Sequence, residues 1–176
     1  VGRARWMKDE RGYCTLESNK EVGGRDIVRY DAESGARSIV VTAKQLVPPG
    51  KTGPLDIANY EWSDDNAKLL VFTNTKRVWR LNTKGDYWVL DLKSGKLQQV
   101  GKTMPASTLM FAKFSPDATR IGYVSDLNIY VEDLKTEAST KLTTDGGKNA
   151  INGTFDWVYE EELDDRDGFR WSPDGG

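Results

Sequence analysis

The chain has no histidine and a single cysteine. Without histidine it lacks the usual general base, so Ser-His and Cys-His nucleophilic catalysis and histidine metal sites are excluded within these residues. One cysteine makes no intramolecular disulfide, so the fold does not rest on bridges and the redox compartment is undetermined. Cys14, within Gly12-Tyr13-Cys14-Thr15-Leu16-Glu17, reads as a buried strand residue. A basic surplus is also missing: 25 Lys and Arg stand against 27 Asp and Glu, which excludes a nucleic-acid partner. No apolar run approaches the roughly 20 residues that span a bilayer, so no membrane segment is expected. The chain opens at Val1 and stops within the turn-like Pro173-Asp174-Gly175-Gly176, and so reads as a piece of a longer protein.

What is present is repetitive. Trp62-Ser63-Asp64-Asp65, Phe114-Ser115-Pro116-Asp117 and Trp171-Ser172-Pro173-Asp174 are one motif at spacings of 52 and 57 residues. A second motif is offset from it: Asp31-Ala32-Glu33-Ser34-Gly35, Asp91-Leu92-Lys93-Ser94-Gly95 and Asp133-Leu134-Lys135-Thr136-Glu137. Proline fixes φ, aspartate bonds neighbouring N–H groups and glycine takes positive φ, so both motifs are turn formers. Alternating apolar runs lie between them, such as Lys68-Leu69-Leu70-Val71-Phe72 and Arg120-Ile121-Gly122-Tyr123-Val124.

A repeat of four strands and about 40–50 residues is the period of a propeller blade. The expected fold is therefore all-β: a single partial β-propeller domain over residues 1–176, with three to four four-stranded antiparallel blades. The blades are expected at about 3–42, 60–100 and 109–142, with a fourth opening at 155–176. Trp62, Phe114 and Trp171, at equivalent positions, are expected in the core. Ala43-Lys44-Gln45-Leu46 reads as a helical turn. Open blade edges predict self-association of the fragment.

Asp156-Trp157-Val158-Tyr159-Glu160-Glu161-Glu162 breaks the strand pattern, because adjacent like charges repel and glutamate is a poor strand former. A short helix or ordered loop carrying these carboxylates is expected to stand off the sheet, in a form suited to capturing a cation. The acidic oxygens lack the register of a calcium loop, so neither a metal nor another cofactor is expected. Lys76-Arg77-Val78-Trp79-Arg80 carries three cations and reads, on its own, as a solvated edge strand with arginine stacked on tryptophan.

Three stretches together resemble a known family. They are the Asp156–Glu162 string followed by Phe169-Arg170-Trp171-Ser172-Pro173-Asp174-Gly175; Val78-Trp79-Arg80 ahead of Asp86-Tyr87-Trp88-Val89-Leu90-Asp91-Leu92; and Asn128-Ile129-Tyr130-Val131. The chain is similar to the N-terminal propeller of dipeptidyl peptidase IV and its bacterial relatives in the prolyl oligopeptidase family. That resemblance implies a propeller capping an α/β-hydrolase domain, which supplies the Ser-Asp-His triad and is absent from these residues. It implies that Glu161 and Glu162 bind the free amino terminus of a peptide substrate and that Arg80 bonds the carbonyl of its penultimate position. The implied parent is a serine-type dipeptidyl peptidase releasing X-Pro or X-Ala dipeptides, or tripeptides, from peptide amino termini, while this stretch itself is non-catalytic. A periplasmic or extracellular location and a homodimeric parent fit the same resemblance. The competing reading is a non-enzymatic binding propeller whose acidic insert grips a basic partner.

Overall fold

The computed structural model describes residues 4–176, so the expected start of the first blade at Arg3 lies outside the described residues. The chain divides into two compact units. One holds the residues up to Thr73 together with Trp88–Gln98, and the other holds Asn74–Tyr87 and Gln99–Gly176.

In the first unit, β1 (Arg5–Trp6), β2 (Gly12–Ser18), β3 (Arg25–Asp31) and β4 (Arg37–Val41) form an antiparallel sheet in sequence order. The β2–β3 ladder runs unbroken from Gly12↔Asp31 to Ser18↔Arg25. Ala43–Leu46 forms one 3₁₀ turn, capped by the Thr42 side chain, which accepts from the Gln45 N–H. The unit also contains β5 (Asn59–Trp62), paired with β6 (Lys68–Val78) from Asn59↔Phe72 to Trp62↔Leu69. Cys14, Ile27, Val41, Leu46, Trp62, Leu69 and Leu90 pack in one apolar cluster. At roughly 25 cal/mol per Å² of buried apolar surface, such a cluster is the main source of the unit's stability. Burial pushes the Cys14 thiol up to about 11, as expected for a structural cysteine with little thiolate character.

β7 (Leu81–Asp91) returns from β6, and β8 (Leu97–Val100) pairs with it. In the second unit β9 (Leu109–Phe114), β10 (Arg120–Ser125), β11 (Asn128–Asp133) and β12 (Ser139–Lys141) follow as a meander. Their ladders include Ile121↔Phe114 between β9 and β10 and Tyr123↔Tyr130 between β10 and β11. Leu109, Ile121, Tyr123 and Val124 are buried here.

Both turn motifs form as the residues dictate. Asp31, Asp91 and Asp133 each accept from the backbone N–H three residues on, at 2.8, 2.7 and 2.7 Å. The next residue, Gly35, Gly95 or Glu137, takes positive φ. Ser63, Ser115 and Ser172 each donate to the aspartate two residues on, at 2.6, 2.6 and 2.5 Å.

The propeller expectation is overturned. The described strands make two open antiparallel sheets, one of four strands and one of eight in the order β12-β11-β10-β9-β7-β6-β5 with β8 on β7, rather than separate four-stranded blades. The cause lies in strand length. β6 and β7 have 11 residues each, whereas β5 and β8 have four. The surplus end of β7 pairs with β9 through Lys84↔Met110 and Gly85↔Leu109, joining what the turn repeat marks as two units into one hydrogen-bonded sheet. Of the three repeat aromatics expected in the core Trp62 is fully buried, while Phe114 and Trp171 are only partly buried. Trp171 instead donates its indole N–H to the Lys113 carbonyl at 3.3 Å, with the Arg120 guanidinium over its ring.

Candidate functional site

The acidic string forms a helix, α1 (Trp157–Leu163), in the second unit. Asp156 starts it in extended conformation, its carboxylate accepting from the N–H groups of Val158 and Tyr159 at 3.0 and 3.2 Å. That satisfies two of the orphan donors of the first turn, and the negative charge suits the positive end of the helix dipole. Asp164 ends the helix at φ 53°, and the Asp165 N–H folds back to the Tyr159 carbonyl at 3.1 Å.

A short antiparallel clasp closes the loop beneath α1. Thr154 bridges Asp167, the Phe155 N–H donates to Arg166 O at 3.2 Å, and the Gly168 N–H donates to Gly153 O at 3.1 Å. Gly153 sits at φ 74° with its Cα pressed on Val124 and Ile129; an added Cβ would lie 2.5 Å from the Val124 side chain. Only glycine fits there. Lys113 holds the returning strand through Asp167 at 2.5 Å and the Phe169 carbonyl at 2.9 Å.

The tight β6–β7 connection presents Arg80. Trp79 holds φ 50°, and the Arg77 Nε–H donates to its carbonyl at 2.9 Å, so this cation supports the turn rather than stacking on the indole. Arg80 Nε lies 2.9 Å from Glu161 Oε1, and Arg80 Nη2 donates to Glu161 Oε2 at 2.9 Å. This is the two-point fork that the planar guanidinium makes with a carboxylate. The Arg80 side chain is 69% exposed and that of Glu161 26%. Glu162 is exposed on the next helix position, and its carboxylate has no ion-pair partner among the described residues.

Of the three residues picked from sequence, the structure brings Arg80 and Glu161 into contact and sets Glu162 beside them on α1. Sequence reasoning passed over Glu160, which is 7% exposed and turned inward, with Arg166 Nε 4.0 Å from its Oε2. Arg166 and Asp167, which no sequence motif singles out, are structural partners of Glu160, Asp164, Lys113 and Arg170. The stretch takes the helical of the two expected forms, and a helix started at Asp156 separates the three glutamates by steps of about 100°, so that one faces inward. Among the described residues no group of three His, Cys, Asp or Glu side chains is placed to hold a metal ion, and no helix is long and apolar enough to cross a membrane.

The chain matches known proteins along nearly its whole length. Residues 63–176 match the family model described as the dipeptidyl peptidase IV N-terminal region. The probable dipeptidyl-aminopeptidase B of Arthroderma otae is 35% identical over 173 residues, covering 96% of this chain and 18% of that protein. The one from Aspergillus oryzae is 30% identical over 169 residues, with 95% and 18% covered. Among solved structures, dipeptidyl peptidase 4 of Porphyromonas gingivalis superposes with a TM-score of 0.80 at 29% identity, over 98% of this chain and 24% of that one. TolB of Acinetobacter baumannii, at 16% identity and a TM-score of 0.52, shares only the fold. The chain thus spans a fifth or less of the length of these curated relatives. It belongs to the dipeptidyl peptidase IV N-terminal region family.

Proposed function

We propose that Glu161, Glu162 and Arg80 anchor the free amino terminus of a peptide substrate, for a serine exopeptidase whose catalytic domain lies elsewhere in the full-length protein. The Arg80–Glu161 fork beside an unpaired Glu162 is the observation that carries this reading. An α-ammonium has three N–H donors and takes charge-assisted bonds from carboxylates, each worth roughly 1.5–3 kcal/mol. Arg80 balances Glu161, which leaves the Glu162 carboxylate as the outward charge that a single ammonium would neutralise. Arg80 uses two of its five donors on Glu161, leaving others for a peptide carbonyl.

Such an anchor works as a ruler. An extended chain advances about 3.3–3.6 Å per residue, so a fixed amine sets how many residues precede the cleaved bond. The reaction would be release of X-Pro or X-Ala dipeptides, by a protein working in the periplasm or outside the cell. The test is a substrate series on the full-length protein: Ala-Pro-anilide, Gly-Ala-Pro-anilide and acetyl-Ala-Pro-anilide. Release of the anilide from the first alone supports the ruler. Equal cleavage of the acetylated form removes the anchor.

A further inference from the structure

Beneath α1, and wholly within the second unit, lies a cavity of about 230 Å³, roughly the volume of seven or eight waters. Val78, Met110, Phe111, Leu127 and Phe155 give it apolar walls, while Glu160, Arg166, Thr83 and Lys84 line it with polar groups. Glu160 is 7% exposed, and its nearest opposite charge, Arg166 Nε, is 4.0 Å away, beyond hydrogen-bond reach. Arg166 Nε and Thr83 Oγ1 are both buried without a hydrogen-bond partner among the described residues. Two of the buried unsatisfied polar atoms in the described residues thus meet at one cavity, beside a buried carboxylate. Groups of this kind normally find partners.

A second observation converges there. Among the described non-glycine residues with positive φ, the large apolar ones are Trp79 at 50°, Phe111 at 54° and Leu127 at 59°, and all three line this cavity. Left-handed backbone is costly for bulky side chains, and such residues cluster at ligand sites.

The chemistry selects the ligand class. A lone cation would satisfy Glu160 and leave the Arg166 N–H unmet; a lone anion would do the reverse. A zwitterion serves both, and the walls take an aliphatic body. We propose that this cavity binds an apolar amino acid, its ammonium on Glu160 and its carboxylate on Arg166 Nε and Thr83 Oγ1. The site does not depend on the amine-anchor reading. Its occupant would, however, sit against the residues preceding both Arg80 and Glu161 in the chain, and so bear on their fork.

Isothermal titration of the full-length protein with L-leucine tests this, with leucinamide and N-acetyl-leucine as single-charge controls. One saturable site is expected, at least tenfold weaker for either control. Glu160→Gln should weaken leucine at least tenfold. Ile151→Trp, at a half-exposed lining position where a larger side chain obstructs the cavity, should do the same without touching the buried charges. Glu162→Gln should leave it unchanged. No saturable heat with wild-type protein overturns the proposal. So does leucinamide binding as well as leucine and disappearing in Glu162→Gln, which would assign the amine to the outer anchor instead.

Discussion

Arg80 and Glu161, 81 positions apart in sequence, meet through two parallel contacts of 2.9 Å between a hairpin turn and a seven-residue helix. The helix offers carboxylates on successive steps, and the hairpin neutralises one of them. What remains outward is Glu162, whose charge no described residue balances.

The fork should contribute little to stability, because Arg80 is mostly exposed. Exposed ion pairs are typically worth less than about 1 kcal/mol. Arg80→Lys keeps the charge but loses the two-point geometry. In the full-length protein it should shift the melting temperature negligibly while raising KM for free-amine dipeptide substrates at least tenfold. A large loss of melting temperature would assign Arg80 a structural role instead.

Glu162→Gln should be neutral for folding, within about 0.5 kcal/mol as for other surface changes. Its expected effect lies in KM for free-amine peptides, at roughly tenfold or more, the loss of one charge-assisted bond. Unfolding curves and steady-state kinetics on the same preparation separate the two effects. Unchanged KM would leave Glu162 a solvated side chain.

Asp156→Ala removes the cap that holds the first turn of α1, a loss of about 1 kcal/mol that falls mainly on a short helix with few buried residues. Hydrogen exchange should speed up at Val158 and Tyr159, whose N–H groups the Asp156 carboxylate accepts. Asn at 156 should restore most of the protection. Equal exchange in all three proteins would show that tertiary contacts, rather than the cap, hold the helix.

The turn aspartates predict an acid limit. The Ser115 hydroxyl, then the Thr119 N–H and hydroxyl, hold Asp117 down to about 2. Asp31, Asp91 and Asp133 are lowered chiefly by the backbone N–H three residues on, and Asp65 and Asp174 chiefly by their motif serines. A lowered carboxylate contributes stability above its unfolded value, and that contribution is lost as pH falls through the folded value. Stability should therefore decline from about pH 4 downward, and Asp117→Asn should flatten part of that decline. An unchanged slope would exclude this turn as a source.

Glu132 has the opposite sign. Burial raises its carboxyl, against the lowering effect of the Gly101 N–H it accepts at 2.8 Å. Its contribution is present at acid pH and lost as pH rises through the folded value. Glu132→Gln keeps an acceptor for Gly101 without the buried charge, so it should raise the melting temperature at pH 7 and lose that advantage near pH 4. A lower melting temperature at both values would show that the charge itself is needed.

The local structure was legible in the sequence and the sheet organisation was not. Aspartate and serine at fixed offsets mark six turns because each bonds its own neighbours, so no distant residue is needed to know them. The 11-residue lengths of β6 and β7 are also written in the chain, but their partner is not. The pairing of Lys84 with Met110 depends on two segments meeting in space, and the turn repeat pointed to separate blades instead. At the site, the resemblance singled out Arg80, Glu161 and Glu162, and the broken strand pattern pointed to a short helix or loop carrying the glutamates; the inward turn of Glu160 depends on the helical register that the Asp156 cap sets, which that pattern leaves open. Arg166 and Asp167 carry no pattern of their own, because only the clasp at Thr154 brings them under the helix.

Hydrolysis of Ala-Pro-anilide and its N-acetyl form, by the full-length wild-type protein and by a Glu161→Ala, Glu162→Ala double variant, tests the amine anchor most directly. Wild type should cleave only the free-amine substrate, and the double variant should lose at least a hundredfold in kcat/KM. Equal cleavage of both substrates, with activity retained by the double variant, would contradict the anchor and leave the helix as a charged surface feature.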